Sequence, residues 1–185
     1  MRRTLLILMA VALTGCGQSL SPGQARTLAV DHWREHGLSM DDLKICGEGF
    51  STHSAQCRAA AECLLPAVPR RTLEVWGDYH QDPIDQIILG FPAFEVTNVR
   101  VQNLTNSMQE GVAVGTVVRE HAELAVSVAP SSELASHVSC PGFARLAGAI
   151  SAPVIFSADY TGQQRTTGSS VRVDWTIGTL YAQAP

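Results

Sequence analysis

The period of the hydrophobic pattern changes part-way along this chain, and that change constrains its fold more than any other feature. Before Pro66 the apolar residues recur at helical spacing; after residue 94 they alternate. Ser21-Pro22-Gly23-Gln24 has the form of a capping box with proline at the first helical position. Ala25, Leu28, Ala29, His32, Trp33 and His36 follow at helical spacing, and Gly37 stops that helix. Ser39-Met40-Asp41-Asp42 predicts a second, short helix ending near Lys44. Residues 54–65, with the run Ala59-Ala60-Ala61 and Pro66 after it, predict a third. Segments 94–104 and 111–129 are rich in valine and alternate, each with one shift of register, near Thr97-Asn98 and near Gly115, where bulges are expected. Val154, Phe156, Ala158 and Tyr160 alternate, as do Val171, Val173, Trp175, Ile177 and Tyr181. The polar stretch 161–170 between them reads as a hairpin loop. Helices first and strands afterwards predict an α+β fold, with N-terminal helices packed on an antiparallel sheet formed by the C-terminal half.

The first residues belong to a different chemistry. Arg2 and Arg3 precede the apolar run Leu5 to Ala12, which is too short to span a bilayer core but has the length of a signal-peptide core. The run closes with Leu13-Thr14-Gly15-Cys16. Over residues 1–16 the chain resembles bacterial lipoprotein precursors, whose lipobox places a leucine and two small residues before an invariant cysteine. The resemblance implies a lipid on the Cys16 thiol, cleavage after Gly15, and acylation of the new amine. Several acyl chains meet the requirement of more than one membrane signal for stable anchoring. Arg2-Arg3 also fits a twin-arginine signal loosely, but the n-region is very short and the general secretory route is preferred. Gly17 takes the place of the aspartate that retains enterobacterial lipoproteins at the inner membrane, so a periplasm-facing anchor in the outer membrane is expected. The expected organisation is a signal peptide over 1–15, the lipidated cysteine and a short tether over 16–20, and one α+β domain over 21–185.

Removing the signal leaves 170 residues, enough for a single core, and moves the formal charge from −4 to −6. Lys44 is the only lysine, the arginines are scattered, and there is no basic run. Nucleic acid, which is held through clustered phosphate contacts, is not an expected partner. Besides Cys16 there are Cys46, Cys57, Cys63 and Cys140, an even set in an oxidising compartment, which predicts two disulfides. Three pairings exist, of which Cys46–Cys57 with Cys63–Cys140 is preferred. The spacings are not the short knuckles of zinc sites.

Three segments carry residue types that do chemistry. His32-Trp33-Arg34-Glu35-His36 fits the H-x-x-E-H pattern of inverted zinc peptidases. On a helix His32 and His36 lie one turn apart and are candidate zinc ligands, with Glu35 as the base for a metal-bound water. Such a site also needs a downstream glutamate on another helix, and Glu110, Glu120 and Glu123 all fall in expected strands. The plainer reading is that Trp33 packs in the core while the histidines finish the helix against its dipole. Gly49-Phe50-Ser51-Thr52-His53 starts like a nucleophile elbow but ends in histidine, and reads as a polar loop. Asp78, His80, Asp82 and Asp85 surround Pro83 and fit either a cation site or ordinary turn chemistry, with the turn preferred. Glycine-rich phosphate loops are absent, and no cofactor is expected.

Three functions compete. A lipid-tethered protein-binding module, either an inhibitor or immunity protein or an assembly factor of the envelope or a secretion machine, needs no catalytic residues and suits the size, the disulfides and the short tether. A zinc hydrolase of envelope material rests on His32, Glu35 and His36 alone. A small-ligand carrier would use a pocket between helices and sheet. The binding module, with an envelope protein as partner, is the expectation.

Overall fold

The computed structural model describes residues 19–46, 53–69, 73, 82–112, 115–135, 140–167 and 170–183. The signal segment, Cys16, Ser51, Asp78 and His80 lie outside them. Helix α1 runs Pro22–His36, α2 Ala55–Leu64 and α3 Pro83–Gly90. Strands β1 (Phe94–Val112) and β2 (Gly115–Pro130) form a long hairpin. The short helix α4 (Ser132–Ala135) and α5 (Pro141–Ala149) then lead to β3 (Val154–Thr167) and β4 (Ser170–Ala182). The four strands pair in sequence order as an antiparallel meander. This is the α+β arrangement expected, with N-terminal helices and a sheet drawn from the C-terminal half.

Local chemistry sets the ends of α1. The Ser21 hydroxyl accepts from the Gln24 N–H, and the Gln24 side chain accepts from the Ser21 N–H, closing the capping box around Pro22. At the other end Gly37 has φ +70°, a left-handed conformation that costs glycine little. Its N–H closes onto the Trp33 carbonyl. Buried Ala25, Ala29 and Trp33 form a stripe of mostly small residues, which lets α1 lie close on the sheet. There it meets Val99, Ala122, Leu124, Val126, Phe156, Ala158 and Tyr160 in one core. Trp33 stands edge-on to Phe156 with ring centroids 5.1 Å apart, a favoured aromatic geometry. The Tyr160 hydroxyl donates to the Ala25 carbonyl at 2.9 Å, fixing the helix along the strands.

Helices α2, α3 and α5 form a second layer of Leu64, Ile87, Ile88, Phe143 and Leu146, joined to the sheet where Phe94 meets Phe143. Gly142 brings α5 close against α2: a Cβ there would stand 3.0 Å from the Ala59 carbonyl oxygen. The cysteines pair as preferred, Cys46 with Cys57 and Cys63 with Cys140. Their Cα separations of 5.5 and 5.7 Å suit disulfides. Among the described residues no helix is long and apolar enough to cross a membrane.

Four local expectations need correction. Ser39 and Asp42 do bond reciprocally, like a capping box, but no helix follows. The Asp41 N–H is taken by the Ile88 carbonyl of α3, and Lys44 turns to φ +55°, so the segment remains a set of turns. Gly115 marks the end of the β1–β2 hairpin, paired with Val112, rather than a bulge. The bulge near Thr97 is present, and β1 shifts register again at Val101/Asn103 and Asn106/Met108. Residues 161–167 and 170 extend β3 and β4 instead of forming a loop, because a hairpin arm that projects into solvent needs no apolar face. Finally, Tyr181 does not continue the face of Val173 and Trp175. An extra residue on β4 opposite Ala158/Tyr160 flips the parity, so Leu180 and Ala182 turn toward the core and Tyr181 is exposed.

Candidate functional site

The sheet sends both hairpin arms past one end of α1 and leaves a cleft at the other. Gly37 turns the chain back so that Leu38 can bond both ways with Phe94, the first residue of β1. The Ser131 N–H, just after β2, donates to the Ala93 carbonyl at 3.0 Å. Three remote segments, 30–37, 92–96 and 131–133, therefore close around a cavity of about 480 Å³. Val30, Trp33, Phe94 and Val96 line it with apolar groups, and Arg34, Glu35, Glu95 and Glu133 with charged ones.

The polar groups of the cleft are ordered. One Glu95 carboxylate oxygen accepts from both the N–H and the hydroxyl of Ser132, each at 2.8 Å. These two bonds hold the Glu95 carboxyl below its ordinary value and keep it charged. The Arg34 guanidinium reaches Asp31 at 2.6 Å on the solvent side of the helix. Ser131, at the cleft wall, is only 5 % exposed, and its hydroxyl oxygen is buried with no hydrogen-bond partner among the described residues.

The predicted His32/His36 pair stands at the same helix end. The rings stack with centroids 4.5 Å apart, and His36 Nδ1–H donates to the His32 carbonyl at 2.8 Å. Burial first, then the neighbouring His36, push the His32 imidazole below its ordinary value toward the neutral form. The His36 ring thus adds a bond within the last turn, and burial disfavours the charged form of His32. Glu35 is exposed on the cleft, while Glu120 and Glu123 lie in β2 as expected. Among the described residues no three His, Cys, Asp or Glu side chains are grouped to hold a metal.

Asp82 and Asp85 have a use that the sequence reading missed. Asp82 caps α3 by accepting from the Ile84 N–H at 2.9 Å, with Pro83 at the first helical position. Asp-Pro at that spacing is a helix-start signal, not only a turn signal. The Arg58 guanidinium, from α2, bridges Asp82 and Asp85 at 2.9 and 3.0 Å. The buried His53 ring donates Nδ1–H to Asp85 at 3.2 Å. The cation between these carboxylates is thus Arg58, and the cluster fastens α2 to α3. Cys140 and Pro141 open α5 with the same cap-and-proline pattern.

At the far end of α1, Leu20 is buried and its N–H donates to Glu120 Oε1 at 2.9 Å, inside the core. Glu120 is 1 % exposed and its other oxygen has no hydrogen-bond partner among the described residues. Burial raises its carboxyl above the ordinary value, with the Leu20 bond opposing. Comparison with family models, with curated proteins and with solved structures finds no match to this chain.

Proposed function

We propose that this chain is an envelope lipoprotein whose domain is a protein-binding module. A lipid on Cys16 holds it at the outer membrane facing the periplasm, and the cleft at the C-terminal end of α1 grips a partner protein. The observation that supports this reading is the Leu20–Glu120 contact, which holds the start of the described chain beside the middle of β2. From Cys16 to Leu20 the chain reaches at most about 14 Å. The β1–β2 arm continues past Glu120 to Gly115, roughly 17 Å of strand. A lipid on Cys16 therefore brings the hairpin ends to the bilayer surface. Helix α1 rises away from that surface over about 22 Å and ends at the cleft. An inhibitor or immunity protein and an assembly factor both need such a tethered, outward-facing grip.

Co-purification tests this reading. Intact lipoprotein from detergent-solubilised envelopes is compared with a Val30→Trp variant, which fills the cleft from a half-buried helix position. Wild type retains a stoichiometric protein partner, and the filled variant loses it while keeping the circular dichroism of the wild type. Equal retention by both proteins, or no retained partner at all, contradicts the proposal.

A further inference from the structure

Beyond the cleft, we infer that the free edge of β4 takes an extended peptide segment of another protein as an added strand, apolar toward α1 and acidic toward Arg172. Among the described residues the sheet order leaves β1 and β4 at the edges, each paired on one side. A free edge presents unpaired N–H and C=O groups to a further strand. The β1 edge is blunted. Three register shifts interrupt it, Arg26 Nε–H donates to the Val99 carbonyl at 3.1 Å, and Leu38 already bonds both ways with Phe94. On β4 the register shift lies beyond Ile177, so residues 170–177 stay regular, and they include neither proline nor lysine.

The inner face of this edge has room for side chains. A Cβ at Gly162 would stand 2.5 Å from Val173 Cγ1 and 2.9 Å from the Trp175 ring, so both side chains lean onto β3 across that glycine. What remains beside α1 is a cavity of about 580 Å³, lined by Leu28, Val173 and Trp175 with Gly23, Gln24 and Thr27. Inward side chains of an added strand enter it, since alternate residues of a strand share one face. In this mode of recognition main-chain bonds hold the peptide and a pocket selects its alternate side chains. The outer face supplies charge. Arg165 and Arg172 stand directly opposite each other on β3 and β4, which costs stability in a sheet. They share Asp174, at 3.2 and 3.1 Å, so these three groups keep one positive charge in surplus on a chain of net negative charge. The Arg172 side chain is 85 % exposed at the edge, where a carboxylate on the added strand completes the pairing. On the anchored reading proposed above a second copy does not fit. Antiparallel pairing of two β4 edges points their hairpin arms in opposite directions, which one shared bilayer does not allow.

The test titrates the isotope-labelled full chain in detergent micelles with the peptide acetyl-Thr-Val-Glu-Val-Thr-amide and follows backbone amide chemical shifts. Saturable shifts in the millimolar range are expected, centred on residues 171–176 and 23–28. The counterpart with lysine in place of glutamate binds about fivefold more weakly, because a repulsive cross-strand pair replaces an attractive one. Arg172→Glu, at an exposed position, reverses that order. Prolines in place of the two valines abolish binding, because they remove N–H groups that the edge needs. No saturable shift, shifts centred on β1, equal binding of the glutamate and lysine peptides, or undiminished binding of the proline peptide overturns the inference. So do β4 shifts that depend on the protein's own concentration without peptide, which mark a second copy as the occupant. None of these readouts depends on Cys16 or on the cleft, so the inference and the binding-module reading stand or fall separately.

Discussion

The backbone N–H of Leu20 donates to the buried carboxylate of Glu120, 100 positions away in the chain, and this bond ties the start of the folded domain to the middle of its sheet. It places a titratable group where burial disfavours its charge. Glu120 has its folded-state value raised, so its protonated form stabilises the fold fully below the ordinary value of 4.5. That contribution is lost as the pH rises through the raised value. Urea midpoints of the wild type should therefore fall from pH 4.5 toward neutrality relative to a variant without this carboxyl, since the lowered His32 value acts in the opposite sense in both proteins. Glu120→Gln, which keeps an acceptor for Leu20 and carries no charge, should flatten this dependence. An unchanged pH profile in the variant would remove Glu120 from the account.

The disulfides should contribute unequally. Cys63–Cys140 joins residues 77 apart, and Cys46–Cys57 residues 11 apart. Loop-closure entropy gives about 4.5 kcal/mol for the longer and about 3 kcal/mol for the shorter. The Cys63→Ser/Cys140→Ser double variant should lose more stability than Cys46→Ser/Cys57→Ser in the same urea titration. Denaturing alkylation of the wild-type protein without reductant should find no free thiol among these four.

Gly37 is required by its backbone and its neighbour together. It has φ +70°, and an added Cβ would collide with the Cβ of Pro92 at the cleft. Gly37→Ala should destabilise by more than about 1 kcal/mol and loosen the cleft. Gly148, inside α5 with nothing within 4 Å of an added Cβ, is the control. There alanine should stabilise by about 0.4–1 kcal/mol. Urea unfolding of both variants checks the contrast.

How much of this was legible in the sequence depended on whether the cause was local. The Ser21 capping box and the Gly37 stop were read directly, because each depends on neighbouring residues. The start of α3 is equally local, in Asp82-Pro83, but the same pair also serves turns, and the sequence alone does not separate the two. The strand alternation gave the sheet but not the extra residue on β4 that sends Tyr181 outward. Such a bulge is defined by the partner strand, which a single segment does not show. The cleft was not legible at all. It joins segments about 60 and 40 residues apart, which no local pattern links until the chain folds. His32 and His36 were picked out by spacing, and what the fold makes of them is a helix ending beside that cleft.

The anchor is tested by changing one atom. Cys16→Ser should abolish fatty-acid labelling and block cleavage by the lipoprotein peptidase, leaving the longer precursor. Normal labelling and the wild-type mature size in that variant would end the lipoprotein reading.

Whether the cleft is the gripping surface is read by site-specific photo-crosslinking in intact cells. A photoreactive side chain is placed at Glu35 or Glu133, exposed on the cleft, and at Thr97 or Thr176, exposed on the strands. An adduct of one discrete mass is expected from both cleft positions and none of that mass from the strand positions. Adducts from Thr97 or Thr176 with none from Glu35 and Glu133 would contradict it.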